Sequence, residues 1–395
     1  MTVPAPRVRR RPWTMPGRTL PLLLATVLLL PVAFLVVRAY QEIDADRGVL
    51  EQERLGVEYL RVLGPVTDAL VEAQSAAVAG QPQSRESLDR AVEEAAAVDA
   101  RIGAELRTSE RWAGLRAKLE GLPDRSILDP EAVFTAYGEA TDLLLALHGK
   151  VRESSGLVRD SGSDSYFLQD GVGEEMPEAM IAAGRLVDLA VLMQTRPASE
   201  RTSSLSELAT LRFAALQPAN DLVNNLRAAV ENSESTDLGA SVLTPFDTYQ
   251  QAVESMAVSS QPTGRVPTVD VERLSAARAD AQAAANQLQP VILDELDRLL
   301  EMRIGDLDRD NRRILGSGGF AGLLLAGLVT SIWVTRRRDD PTDGGSDAAA
   351  EPTPPGTGRT VAPAAGRGPG DQLTPVLQPV GQSGDNRWRP FDAAR

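Results

Sequence analysis

The chain contains no cysteine. A disulfide framework, a thiolate-ligated metal site and thiol redox sensing are thereby excluded. Histidine occurs once, as His148, which leaves no histidine cluster, no Ser-His-Asp triad and no separate phosphoaccepting histidine. Lysine is confined to Lys118 and Lys150; the basic residues are otherwise arginine, as expected from the codon bias of a GC-rich genome. Aromatic residues make up only 4%, and strand formers are correspondingly scarce. Ala, Leu, Glu and Arg dominate the middle of the chain. Their unbranched side chains lose little rotamer freedom in a helix, so the expected class is all-α.

The net charge of -14 is unevenly spread. Residues 1–38 hold six arginines and no acid, residues after 335 are balanced, and the negative charge lies on 39–311. Such a domain attracts cations or basic partners and repels nucleic acid.

Two long apolar runs interrupt this polarity. Residues 19–37 (TLPLLLATVLLLPVAFLVV) carry no charge and approach the ~20 residues that span a bilayer. A basic start followed by an apolar run also describes a cleavable signal peptide, but this run exceeds the usual length and flows directly into a polar helix, so an uncleaved anchor is expected. Residues 314–334 (ILGSGGFAGLLLAGLVTSIWV) form the second expected span. Gly318, Gly319 and Gly322 would let a partner helix come close, and Trp333 suits an interface. Arg7, Arg9, Arg10, Arg11 and Arg18 precede the first run, and Arg336, Arg337 and Arg338 follow the second. The positive-inside rule then places both termini in the cytoplasm, although Arg312 and Arg313 argue the other way.

The expected organisation is a basic cytoplasmic N-terminus at 1–18, a first transmembrane helix at 19–37 and an extracytoplasmic helical domain at 38–313. A second transmembrane helix at 314–334 and a cytoplasmic tail at 335–395 follow. About a third of the tail is Pro or Gly, which predicts disorder.

Within 38–313 the helical period recurs. Leu60, Leu63, Val66 and Leu70 step by three or four, as do Tyr137, Thr141, Leu144, Leu147 and Val151 with Phe134, and Leu293, Leu296, Leu300, Ile304 and Leu307. Gly80-Gln81-Pro82, Gly121-Leu122-Pro123, Ser161-Gly162-Ser163 and Arg196-Pro197 punctuate the pattern. The spacing predicts helices at 38–79, 84–121, 129–160, 164–195, 199–232, 237–259 and 268–335. Pro177 and Pro218 should kink two of them, and Gly171 and Gly173 should weaken the fourth. Short connections imply an elongated antiparallel bundle, flanked by the two spans.

One stretch is distinctive: Ser154-Ser155-Gly156-Leu157-Val158-Arg159-Asp160, then Ser161-Gly162-Ser163, then Asp164-Ser165-Tyr166-Phe167-Leu168-Gln169-Asp170, with Pro177 beyond. It resembles the helical periplasmic sensory domains of bacterial methyl-accepting chemotaxis receptors and membrane sensor kinases, in which a similar pattern joins two helices. Thr108-Ser109-Glu110-Arg111-Trp112 adds a weaker likeness. The resemblance covers residues 40–310 and implies a domain that senses a small ligand or a partner protein. Asp160, Asp164, Tyr166 and Phe167 are then the candidate ligand contacts. The alternative is a well-packed turn in which Ser163 or Asp164 caps a new helix. The family's cytoplasmic kinase, cyclase or methyl-accepting module has no counterpart in residues 339–395.

No catalytic constellation and no cofactor motif emerges. Pairs such as Glu93-Glu94 and Glu174-Glu175 read as solvated helix surface, and His148 as a packed core histidine. In the tail, Arg387, Trp388, Arg389 and Phe391 are candidates for docking on a protein or on anionic lipid. The expected partners are the bilayer, a membrane or cytoplasmic protein that reads the receptor's state, and a second copy of the chain. The expected function is a receptor-like protein of the cytoplasmic (inner) membrane, with a non-sensing cell-envelope scaffold as the alternative.

Overall fold

The computed structural model describes residues 20–81, 85–122, 129–158, 163–232, 236–264 and 268–338. The tail, with Arg387–Phe391, lies outside them. Among the described residues there are nine α-helices and no strand: α1 (Leu20–Val78), α2 (Glu86–Ile102), α3 (Ser109–Glu120), α4 (Pro130–Ser155), α5 (Ser163–Asp170), α6 (Met176–Leu192), α7 (Arg201–Asn232), α8 (Thr236–Ser259) and α9 (Val271–Arg338). A π-helical turn, Gly171–Glu175, joins α5 to α6, and one 3₁₀ turn, Ala198–Glu200, precedes α7.

Two helices dominate. α1 has 59 residues and α9 has 68, roughly 90 and 100 Å at 1.5 Å per residue. They run antiparallel, and α1 also packs against α2, α4 and α6, while α9 also packs against α6 and α8. The predicted stripe on α1 forms the centre of the core: Leu60, Leu63, Val66 and Leu70 are all fully buried. Leu144, Leu147 and Val151 of α4 and Leu288, Ile292, Leu296 and Leu300 of α9 meet them in one apolar cluster. A second cluster joins α6, α7, α8 and α9 through Leu186, Leu189, Leu208, Met256 and Leu274.

Helix ends follow local chemistry. α1 stops where Gly80 adopts φ +64°. The Gln81 N–H donates to the Ala76 carbonyl at 2.9 Å and the Gly80 N–H to that of Ala77 at 3.1 Å, the bond pattern of a Schellman motif. The helix expected at 129–160 ends five residues early, because Gly156 takes φ +88° immediately after Ser155.

The helix expected at 84–121 is two helices. Asp99 is buried, and its Oδ1 accepts hydrogen bonds from the hydroxyls of Tyr59 at 2.8 Å and Thr108 at 3.0 Å. The chain turns back at Arg107, which has φ +54°, so that Thr108 reaches that carboxylate and Leu106 enters the core. The fourth expected helix runs on through the π-helical turn, and Pro177 directly follows that turn, in the first turn of α6. α7 likewise continues through Pro218.

Among the described residues one helix, α9, is long and apolar enough to cross a membrane, and none of its apolar window is buried in protein. Phe320 and Leu323 in that window are 63% and 73% exposed. In α1, Leu30 and Phe34 are 66% and 64% exposed, whereas Val57, Tyr59, Leu60 and Leu63 further along the same helix are buried. Gly318 faces α1: a Cβ there would lie 3.0 Å from Cγ2 of Val36. Around Gly319 and Gly322 the space is open, so among the described residues only Gly318 of the three serves a contact within the chain.

Candidate functional site: the π-helical turn

A cluster of buried and half-buried polar groups is built on the π-helical turn. α4 contributes Arg152, α5 ends with Asp170, the turn itself holds Glu174 and Glu175, and α7 supplies Asn225. The Arg152 guanidinium bridges Asp170, at 2.7 Å, and Glu174. Asn225 Nδ2 donates to Glu175 Oε1 at 2.8 Å and to Asp170 Oδ2 at 3.3 Å. Glu175 is only 9% exposed, and its Oε2 is buried with no hydrogen-bond partner among the described residues.

Two glycines allow this approach. A Cβ on Gly171 would lie 2.8 Å from Cδ1 of Leu222, and one on Gly173 would lie 2.6 Å from Cδ of Arg152. The extra residue of a π-helical turn widens the backbone locally, a device that recurs at functional sites. Here it lets Glu175 turn inward while Glu174 stays at the surface. Reading Glu174-Glu175 as a solvated pair is therefore correct for the first residue and wrong for the second.

Electrostatics follow from that placement. Burial, then the neighbouring Asp170, pushes the Glu175 carboxyl up to about 8, against the opposing pull of the Asn225 amide; Asp221 and Glu174 add to the rise. Glu178, one turn further along, is also raised, by burial and by Glu174. Tyr249 of α8 is buried and raised, with Glu175 as its charged neighbour. A carboxylate is costly where water is excluded and its neighbours share its sign.

Two further polar contacts line the core. His148 is buried, its Nε2 lies 3.2 Å from Thr67 Oγ1, and burial holds it down at about 3, helped by Arg152. Asp188 of α6 is buried against α1, accepts from Gln74 Nε2 at 2.8 Å, and is raised by burial to about 6.

The sequence-derived site residues are placed differently. Asp160 lies outside the described residues. Asp164 falls in the first turn of α5, which opens at Ser163. Tyr166 is 43% exposed, and its ring meets that of Phe167 edge-on at 5.6 Å. Phe167 packs on the core. Between them and the helix start, Ser165 is buried and accepts from Arg303 of α9 at 2.8 Å. The motif thus ties α5 to α9, and the buried polar cluster begins at its last residue, Asp170. Arg152, Glu175 and Asn225 escaped sequence reasoning because they lie on separate helices. The usable signal was Gly171-x-Gly173 inside a helical run directly before Glu174-Glu175.

The arrangement offers charge and a protonatable carboxyl. Among the described residues no group of three or more His, Asp or Glu side chains is placed to hold a metal ion. Clefts of about 420 Å³ beside Arg54, Arg61 and Asp297 and of about 440 Å³ beside Phe134, Arg185 and Leu211 lie elsewhere. No protein-family model, no curated protein and no solved structure matches the chain.

Proposed function

We propose that this chain is a membrane receptor of hairpin topology, anchored by residues 19–37 and 314–334. Its helical domain outside the cytoplasm senses a ligand or partner, and a second protein reads its state. The observation that carries this reading is the α1–α9 pair. Each helix is continuous from an exposed apolar segment into the centre of the core. Any displacement of the core against one of them therefore reaches the membrane without crossing a flexible joint. Receptors transmit by such small shifts of one packed helix against another. The resemblance of residues 154–177 to chemoreceptor and sensor-kinase domains supports the same reading, as does the acidic charge confined to the central domain.

The output would be protein contact. Two routes are open: the uncovered face of α9 at Gly319 and Gly322, or Arg387–Phe391 in the tail. Deleting 339–395 abolishes function if the tail is the contact, and Gly322→Leu abolishes it if the span is.

The test of the topology uses the cysteine-free background. Asp46→Cys should react with a membrane-impermeant maleimide in intact cells, and Ser346→Cys should react only after the membrane is opened. Labelling of Ser346→Cys in intact cells would overturn the two-span receptor. Crosslinking that recovers only envelope structural proteins, with no signalling partner, would favour the scaffold.

A further inference from the structure

A receptor needs a ligand, and the interior contains one group with a chemically defined appetite. Glu175 lies in the π-helical turn with one oxygen bonded to Asn225 and the other buried without a partner among the described residues. The groups facing it are mostly of its own sign. Asp170 comes from α5, Glu174 from the turn and Asp221 from α7. The phenol of Tyr249 on α8 adds no positive charge. Among the described residues Arg152 of α4 is the cation of the cluster, and its two terminal nitrogens are engaged by Asp170 and Glu174, while its Nε is buried without a partner.

We propose that the ligand taken up at the π-helical turn is the proton, bound by Glu175 from the surrounding water and returned to it, so that the turn reports the pH outside the cytoplasm. This inference rests on the receptor reading above. With the proton bound, Glu175 is a neutral acid that accepts from Asn225 and fits among carboxylates. With the proton lost, a further negative charge stands in a water-poor space where the terminal nitrogens of Arg152 are bonded to Asp170 and Glu174 and not to Glu175. The turn cannot shift to relieve it, because Gly171 and Gly173 sit against Leu222 and Arg152 with no room to spare. The strain is relieved by opening the contact between the turn and α7. The turn touches α4, α5, α6, α7 and α9, and α6 in turn packs on α1 and α9, the two helices that lead to the membrane.

The working range follows from the position of the group, near pH 8. Asp188 and His148 change charge at lower pH, near 6 and 3 in the folded protein, and the difference between the wild type and Glu175→Gln from pH 7 to 8.5 separates Glu175 from the raised Glu178. In that interval the unfolded chain has already released the proton that the folded chain retains. Folding stability therefore falls as pH rises, and the folding constant should drop roughly tenfold between pH 7 and 8.5 before levelling off.

The experiment uses the full chain in phospholipid nanodiscs, with urea unfolding and amide exchange of residues 163–180 followed from pH 7 to 8.5. The wild type should lose about tenfold in folding constant and lose exchange protection across the turn, while α2 changes little. Glu175→Gln, which mimics the protonated acid, should remove both effects. Asp221→Asn removes a like charge, so the midpoint should move to lower pH. An unchanged pH dependence in Glu175→Gln, or an unmoved midpoint in Asp221→Asn, overturns the proton site. Cysteine labelling addresses the topology separately: absent proton linkage with residues 39–313 outside refutes this inference alone. Intact linkage with that domain inside refutes the receptor.

Discussion

Arg54 of α1 and Asp297 of α9 meet in a two-pronged ion pair, Nε to Oδ1 at 2.8 Å and Nη2 to Oδ2 at 3.3 Å. Two similar rungs lie along the same face. Arg47 reaches Asp308 at 3.0 Å and Arg61 reaches Asp294 at 2.6 Å. The arginines recur every seven residues, two helical turns, and so share one face of α1.

Each rung is more than a third exposed on at least one side, which limits its worth to about 0.5 kcal/mol in a double-mutant cycle. Combining Arg54→Ala with Asp297→Ala should recover a coupling of that size from urea midpoints, and it should shrink in 1 M salt. A coupling of zero at low salt would show that the rungs do not hold the register of α1 against α9.

His148 predicts an acid limb of opposite sign to that of Glu175. Its folded form stays neutral down to about 3, while an unfolded histidine protonates near 6.5. Stability from this group is complete above the unfolded value and is lost as pH falls toward the folded one. At pH 5 the loss should be about 2 kcal/mol. Glu175 and Asp188 oppose it in part of this range, so the reading is the difference between the wild type and His148→Gln. The variant should lose less stability on going from pH 7 to 5, as measured by urea unfolding.

Two glycine substitutions should differ in sign. Gly184 of α6 faces Val71 of α1, and a Cβ would lie 2.6 Å from Cγ1 of that stiff β-branched side chain. Gly184→Ala should destabilise by about 1–3 kcal/mol. Gly138 of α4 has open space around its Cα, so Gly138→Ala should stabilise by up to about 1 kcal/mol through helix propensity. Thermal unfolding followed by circular dichroism distinguishes the two.

The corner between α2 and α3 depends on Asp99. Tyr59→Phe removes one of its two donors while leaving the carboxylate buried, and should cost about 1–3 kcal/mol. Amide exchange should rise around Gly103–Thr108. An effect on stability without local exchange would place the role of Tyr59 elsewhere.

Much of this architecture was legible in the chain. The apolar stripes at Leu60–Leu70, Leu144–Val151 and Leu293–Leu300 announce buried helix faces, because a period of three to four residues has one physical solution in a strand-poor sequence. Gly80 announces a helix end, since a left-handed residue there costs glycine nothing. The two unburied apolar runs are properties of composition alone. Other features needed the assembled helices. Whether 84–121 bent at Asp99 turned on a buried carboxylate finding a donor, Tyr59, on α1. The inward turn of Glu175, with Arg152, Asp170 and Asn225 around it, joins residues up to 73 positions apart, which no local pattern encodes. Periodicity determines which face of a helix is buried. Only the packing of α4, α5, α6 and α7 against one another decided which charges are buried with it, because the cost of a buried carboxylate depends on neighbours that the fold alone supplies.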